Sequence, residues 1–145
     1  MKTLTVELKL YFQNMKKMPL FLQYLFGLFL ITSYPGILLA FWPWPGRTYN
    51  LNGVDISYTE FWLTGMAPSF LTFLLLMATI CWGIIHGKLW SKWGVLLFWS
   101  SILFAIGYGS TVGISIASVF SGLLAYYLFK SKKVVNYYKA ANSSA

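Results

Sequence analysis

Four long apolar runs, separated by short polar breaks, set the pattern of this chain. A helix needs about 20 mostly apolar residues to cross a bilayer. The first run covers about 19–41 and stops at Trp42-Pro43-Trp44-Pro45-Gly46, where prolines end a helix and indoles favour the lipid–water interface. The second covers about 61–85, the third 93–108 and the fourth 112–129. The break before the third is His86-Gly87-Lys88-Leu89-Trp90-Ser91-Lys92. The break before the fourth is the uncharged turn signal Gly107-Tyr108-Gly109-Ser110-Thr111. The tightness of that last turn leaves a re-entrant hairpin as the rival to two full crossings.

The segments around the runs have patterns of their own. On a helical wheel over residues 1–18, Leu4, Leu8, Tyr11, Phe12, Met15 and Met18 share one face, opposite Lys2, Lys9, Gln13, Lys16 and Lys17. This predicts an N-terminal amphipathic helix lying on a membrane surface. Val54, Ile56 and Tyr58 alternate with Asp55 and Ser57, which predicts a short extended segment with no evident partner strand. Asn52-Gly53 is a turn signal just before it. Residues 130–145 read as a basic surface tail, with Val134, Val135 and Tyr138 available to the interface.

Composition agrees with lipid as the solvent. The chain is 58% hydrophobic and 10% charged, where a soluble domain carries about 25% charged residues. The fold class expected is therefore all-α: a polytopic bundle of four transmembrane helices, with residues 19–129 as the membrane domain. The leading run is read as an uncleaved anchor rather than a secretory signal.

Charge adds a direction. Of 11 basic residues, only Arg47 falls between the first and second runs. The other ten lie before the first run, between the second and third, or after the fourth. Short loops rich in Lys and Arg stay cytoplasmic. Both termini are expected inside, in a bacterial inner membrane, with the basic segments against anionic lipid. The net charge of +8 does not point to nucleic acid, because the lysines flank apolar runs and no polar domain carries a groove.

Candidate chemistry is sparse. The runs contain no Asp, Glu, Lys or Arg in their interiors, and intramembrane ionisable groups are what mark proton relays and ion paths. Cys81 is the single cysteine and His86 the single histidine, so neither a disulfide nor a cysteine or histidine metal set can be built within one chain. No cofactor is expected, and enzymatic activity is not. Two patterns remain. Ala105, Gly109, Gly113, Ala117, Ser121 and Ala125 recur every four residues, a small-residue stripe suited to close helix packing, within the bundle or against another chain. Pro35 and Pro68 stand at similar expected depth and predict two kinks. With Ser33, Glu60, Thr64 and Thr72 they outline an outward pocket for an uncharged or lipid-like ligand, with Glu60 and Arg47 at its mouth.

The stretch from Gly83 to Gly94 resembles the inner hairpin of many small four-span bacterial proteins; the resemblance implies interface anchoring, and no activity is carried over from it. The expected function is a non-catalytic integral membrane protein binding another membrane component, as an accessory subunit or a toxin-immunity-type protein. The alternative is a small oligomeric transporter or channel for an uncharged or lipid-like solute. A lipid-acting enzyme is the third reading.

Overall fold

A computed structural model of the chain describes residues 12–42, 48–51 and 53–143. It is mostly helical. A helical segment over 12–17 (α1) leads into α2 (Leu20–Phe41). A β-hairpin follows, β1 (Thr48–Leu51) and β2 (Val54–Ser57), then α3 (Tyr58–Leu63), α4 (Met66–Ile85), α5 (Trp90–Gly107), α6 (Thr111–Lys130) and α7 (Lys132–Ser143). Four of these, α2, α4, α5 and α6, are long and apolar enough to cross a membrane. The N-terminal amphipathic face and Arg47 fall mostly or wholly outside the described residues.

The chain divides into two compact units, Met1–Phe26 with Ile80–Ala145, and Gly27–Thr79.

In the second unit, the described residues between α2 and α4 form a hairpin and a short helix rather than a plain loop. The extended segment expected at Val54 does have a partner. β1 pairs with it antiparallel, Thr48 opposite Ser57 and Leu51 opposite Val54. Gly53, at φ +86°, takes the left-handed turn conformation that glycine adopts freely. Asn50 fastens the turn, accepting from the Gly53 N–H at 3.1 Å and donating to Asp55 Oδ1 at 2.8 Å. α3 then starts on a capping box. The Ser57 side chain accepts from Glu60 N, and Glu60 Oε2 accepts from Ser57 N at 2.7 Å. These hydrogen bonds favour the ionised carboxylate and hold Glu60 below the usual glutamate range. Tyr49 stacks on Phe61 with centroids 4.3 Å apart, and Phe41 and Tyr58 both contact Trp62.

The second apolar run is not one helix. It breaks at Gly65, φ +78°, between α3 and α4. Pro68 therefore lies in the first turn of α4, where a missing N–H costs nothing. Beyond it, α2 and α4 pack closely at Gly36, where a Cβ would stand 3.0 Å from the Leu74 methyls.

In the first unit, α4, α5 and α6 approach one another over glycines. A Cβ on Gly83 would meet Trp90 and Ser91 at 2.7–2.8 Å, and one on Gly94 would meet Ile80 at 2.9 Å. At Gly107 and Gly113 the contact is backbone on backbone, at 2.7–2.8 Å from either built Cβ. In lipid this close van der Waals contact is what holds helices together. α7 completes the unit. Its Val134, Tyr137, Tyr138 and Ala141 are all buried. The residues expected as a basic surface tail form a helix, in which Val134 and Tyr138 are covered by protein. Their spacing of three and four residues places them on one helical face.

Candidate functional site

Ser33, Pro35, Glu60, Thr64, Pro68 and Thr72, proposed from sequence for an outward pocket, are all in the second unit, and the four polar side chains each make a hydrogen bond to backbone. Ser33 is fully buried, and its hydroxyl donates to Phe29 O at 2.6 Å. Thr64 closes α3 by donating to Glu60 O, and Thr72 donates to Pro68 O at 2.8 Å. Glu60 serves the capping box. Pro35 sits within α2, six residues before Phe41, whereas Pro68 is two residues into α4. The matched pair of kinks does not exist, because Gly65 restarts the helix just before Pro68.

The small-residue stripe is covered in part, from Gly113 to Ala125. Gly109 precedes α6, in the turn, at φ +90°. Gly113 packs on Gly107 of the same hairpin and Ala117 is buried. Ser121 Oγ is enclosed with no hydrogen-bond partner among the described residues, and Ala125 is half-buried. Ala105 is exposed. The other side of α6 carries a continuous exposed apolar face. Val112, Ile116, Val119, Phe120, Leu123 and Tyr126 are each 51–69% exposed. Ser115, Ile116, Val119 and Phe120 line a shallow groove on it.

The densest polar construction lies where α1, α4, α5 and α7 meet. The last four carbonyls of a helix lack intrahelical partners, and α4 has all of its own satisfied. Gly87, at φ +62°, ends the helix in a Schellman motif. Lys88 N donates to Gly83 O at 2.8 Å and Gly87 N to Ile84 O at 3.1 Å. Tyr137 of α7 donates its hydroxyl to Ile84 O at 2.9 Å, and Asn14 of α1 donates to Ile85 O at 2.9 Å, both bonds buried. Trp82 O takes the His86 N–H, and the His86 ring stacks on Trp82 with Nδ1 2.9 Å from the same carbonyl. So segments from both ends of the sequence cap one helix. His86 lies against the end of its own helix, and Cys81, 1% exposed with Sγ 3.5 Å from Phe26 O, is a packing residue.

Beside this cap stands Lys92. The sequence pattern placed it in a loop, but α5 begins at Trp90 and carries Lys92 in its first turn, 5% exposed. The interiors of the four long helices remain without Asp, Glu, Lys or Arg, and Lys92 stands at the very start of one of them. Its Nζ is 4.5 Å from the Tyr138 ring centroid and 5.8 Å from that of Phe129. Ring faces attract an ammonium by about 0.5–2 kcal/mol, most when water is excluded. Ser91 Oγ donates to Lys88 O at 2.8 Å, which leaves the Tyr138 hydroxyl to donate to Ser91 Oγ at 2.9 Å. Burial pushes the Tyr138 phenol up to about 12, against the lowering effect of that Ser91 bond, and burial also raises Tyr137. Both phenols are neutral at physiological pH, so neither supplies Lys92 with a negative charge.

No group of three or more His, Cys, Asp or Glu converges to hold a metal among the described residues. No protein-family model matches the chain, and no curated protein or solved structure is significantly similar to it.

Proposed function

We propose that this chain is a small, non-catalytic integral membrane protein of a bacterial inner membrane that binds another membrane component through α6. Both termini lie on the cytoplasmic side in this reading. The asymmetry of the lysines supports that orientation, and the basic ends would rest on anionic lipid.

The observation that carries the reading is the outer face of α6. Of the four span-length helices it is the least covered. In its most apolar 18-residue stretch 11% of residues are buried, against 39% in α4. A helix whose small-residue side is already used by α5, and whose other side offers a grooved apolar face, is suited to a helix of a second protein. The span hydroxyls favour the same conclusion from the other direction. Thr32, Ser33, Thr72, Thr79, Ser101, Ser115 and Ser118 each donate to a carbonyl of their own helix. They satisfy backbone rather than line a path. An accessory subunit and a toxin-immunity-type protein are the two concrete forms of such a binder.

The test is photocrosslinking in living cells. A benzophenone side chain placed at Val119 or Leu123 is expected to give a discrete adduct with a different protein. One placed at Leu97, exposed on α5, is expected to give none. Adducts at multiples of the chain's own mass would favour the oligomeric transporter instead. Lipid adducts alone at all three positions would contradict partner binding.

A further inference from the structure

An amphipathic helix lies on a bilayer by sinking its apolar face into the headgroup boundary. In α7 that face is occupied. Val134, Tyr137, Tyr138 and Ala141 are all buried. Tyr137 donates to Ile84 O of α4, and the Tyr138 hydroxyl reaches Ser91 in the first turn of α5. Ala141 stands against Gly87, where an added Cβ would meet its own at 2.6 Å. The last carbonyls of a helix point along its axis and out of its end. A donor to one of them approaches from beyond the span. α7 therefore covers the end of the α4–α5 hairpin from the aqueous side, with its opposite face turned away from the spans.

That opposite face is basic. Lys132, Asn136 and Lys139 follow one another at spacings of four and three, which puts them on one side of the helix, with Lys133 beside them. All four are exposed. Nothing in their own unit neutralises them, because every charged side chain among its described residues is a lysine. A surface of one sign sets up a field that draws in the opposite charge.

We propose that the lysine face of α7 is a docking surface for an acidic helical segment of a second protein, reached from the aqueous side of the membrane. Carboxylates at spacings of four and three on such a helix would meet Lys132 and Lys139 with Asn136 between them. A lipid surface suits the face less well, because the apolar side chains that would anchor α7 in it are held by α4 and α5. Lysines that flank the spans directly, such as Lys17 and Lys130, keep their place beside lipid. A single-stranded nucleic acid also suits it less well, since such strands stack on exposed rings and both tyrosines of α7 are buried. The surface is separate from the α6 face and stands or falls independently of partner binding there.

The experiment measures binding of a short fluorescein-labelled poly-L-glutamate to the purified full chain in neutral detergent, by fluorescence anisotropy. The pair Lys132→Gln and Lys139→Gln should weaken binding by about 5- to 10-fold, the worth of two exposed ion pairs. The pair Lys16→Gln and Lys17→Gln removes the same charge from exposed positions of the same unit, and should change it by no more than about twofold. The pair Lys132→Arg and Lys139→Arg should bind as wild type does. A fluorophore on Asn136→Cys, in the middle of the face, should respond to poly-L-glutamate and stay unquenched in nanodiscs of brominated phosphatidylglycerol. Four results would overturn the proposal: no binding, equal losses in the two glutamine pairs, tighter binding of an oligothymidylate of the same length, or quenching at position 136 by the brominated lipid. The third would assign the face to nucleic acid and the fourth to the bilayer.

Discussion

Replacing Tyr138 with alanine is expected to lower the unfolding free energy by about 3–5 kcal/mol, the range for removing a fully buried aromatic ring. Tyr138 is 1% exposed. Its ring faces the Lys92 ammonium, meets Tyr137 edge-on at 5.4 Å, and ends in the hydroxyl that reaches Ser91. Truncation would open a cavity beside the Lys92 ammonium. Chemical unfolding in detergent, followed by circular dichroism, reads the loss. Tyr138→Phe should cost only about 1 kcal/mol, because Ser91 keeps its bond to Lys88 O. Were α7 a loose arm on the membrane surface, both substitutions would fall within about 0.5 kcal/mol of wild type.

The second large effect is expected at the α5–α6 crossing. A Cβ on Gly113 would stand 2.8 Å from both Cα and O of Gly107. The obstruction is backbone, so no rotamer change relieves it. Gly113→Ala should cost about 1–3 kcal/mol, and Gly113→Leu more, since overpacking forces the helices apart. The loss should appear as unfolding of the single protein, with a lowered midpoint in monomeric detergent complexes. Loss of assembly alone, with the protomer's stability unchanged, would mean that the small-residue stripe serves another chain. Gly122 provides the control, because a Cβ there meets nothing within 4 Å. Gly122→Ala should be neutral or stabilising by up to about 1 kcal/mol through helix propensity.

The four spans were legible because length and apolarity alone determine them, and each matches a helix to within a few residues. The exception shows the limit of that signal. Phe61 to Ile85 is apolar throughout, so hydropathy joins α3 to α4. The information that separates them is local: Ser57-x-x-Glu60 marks one helix start, and Gly65 with Pro68 marks a stop and a restart. β1 was hidden for a different reason. Thr48-Tyr49-Asn50-Leu51 lacks a clear alternation, and only the pairing across Gly53 makes it a strand. The site was less legible than the fold. Lysines dominate the look of residues 130–139, so the apolar face of Val134, Tyr137, Tyr138 and Ala141 reads as a surface anchor until α4 presents carbonyls to it. Burial of Lys92 depends on where α6 and α7 end up, which no spacing within α5 encodes.

The crossing of the membrane by α6, on which the orientation and the exposed partner face both depend, is tested most directly by cysteine accessibility in intact bacterial cells. Ser110, before α6, and Asn142, in α7, are both exposed, and the native Cys81 is buried. A membrane-impermeant maleimide is expected to label Ser110→Cys from outside, and Asn142→Cys only after the cells are permeabilised. Labelling of both positions from the same side would contradict a crossing by α6.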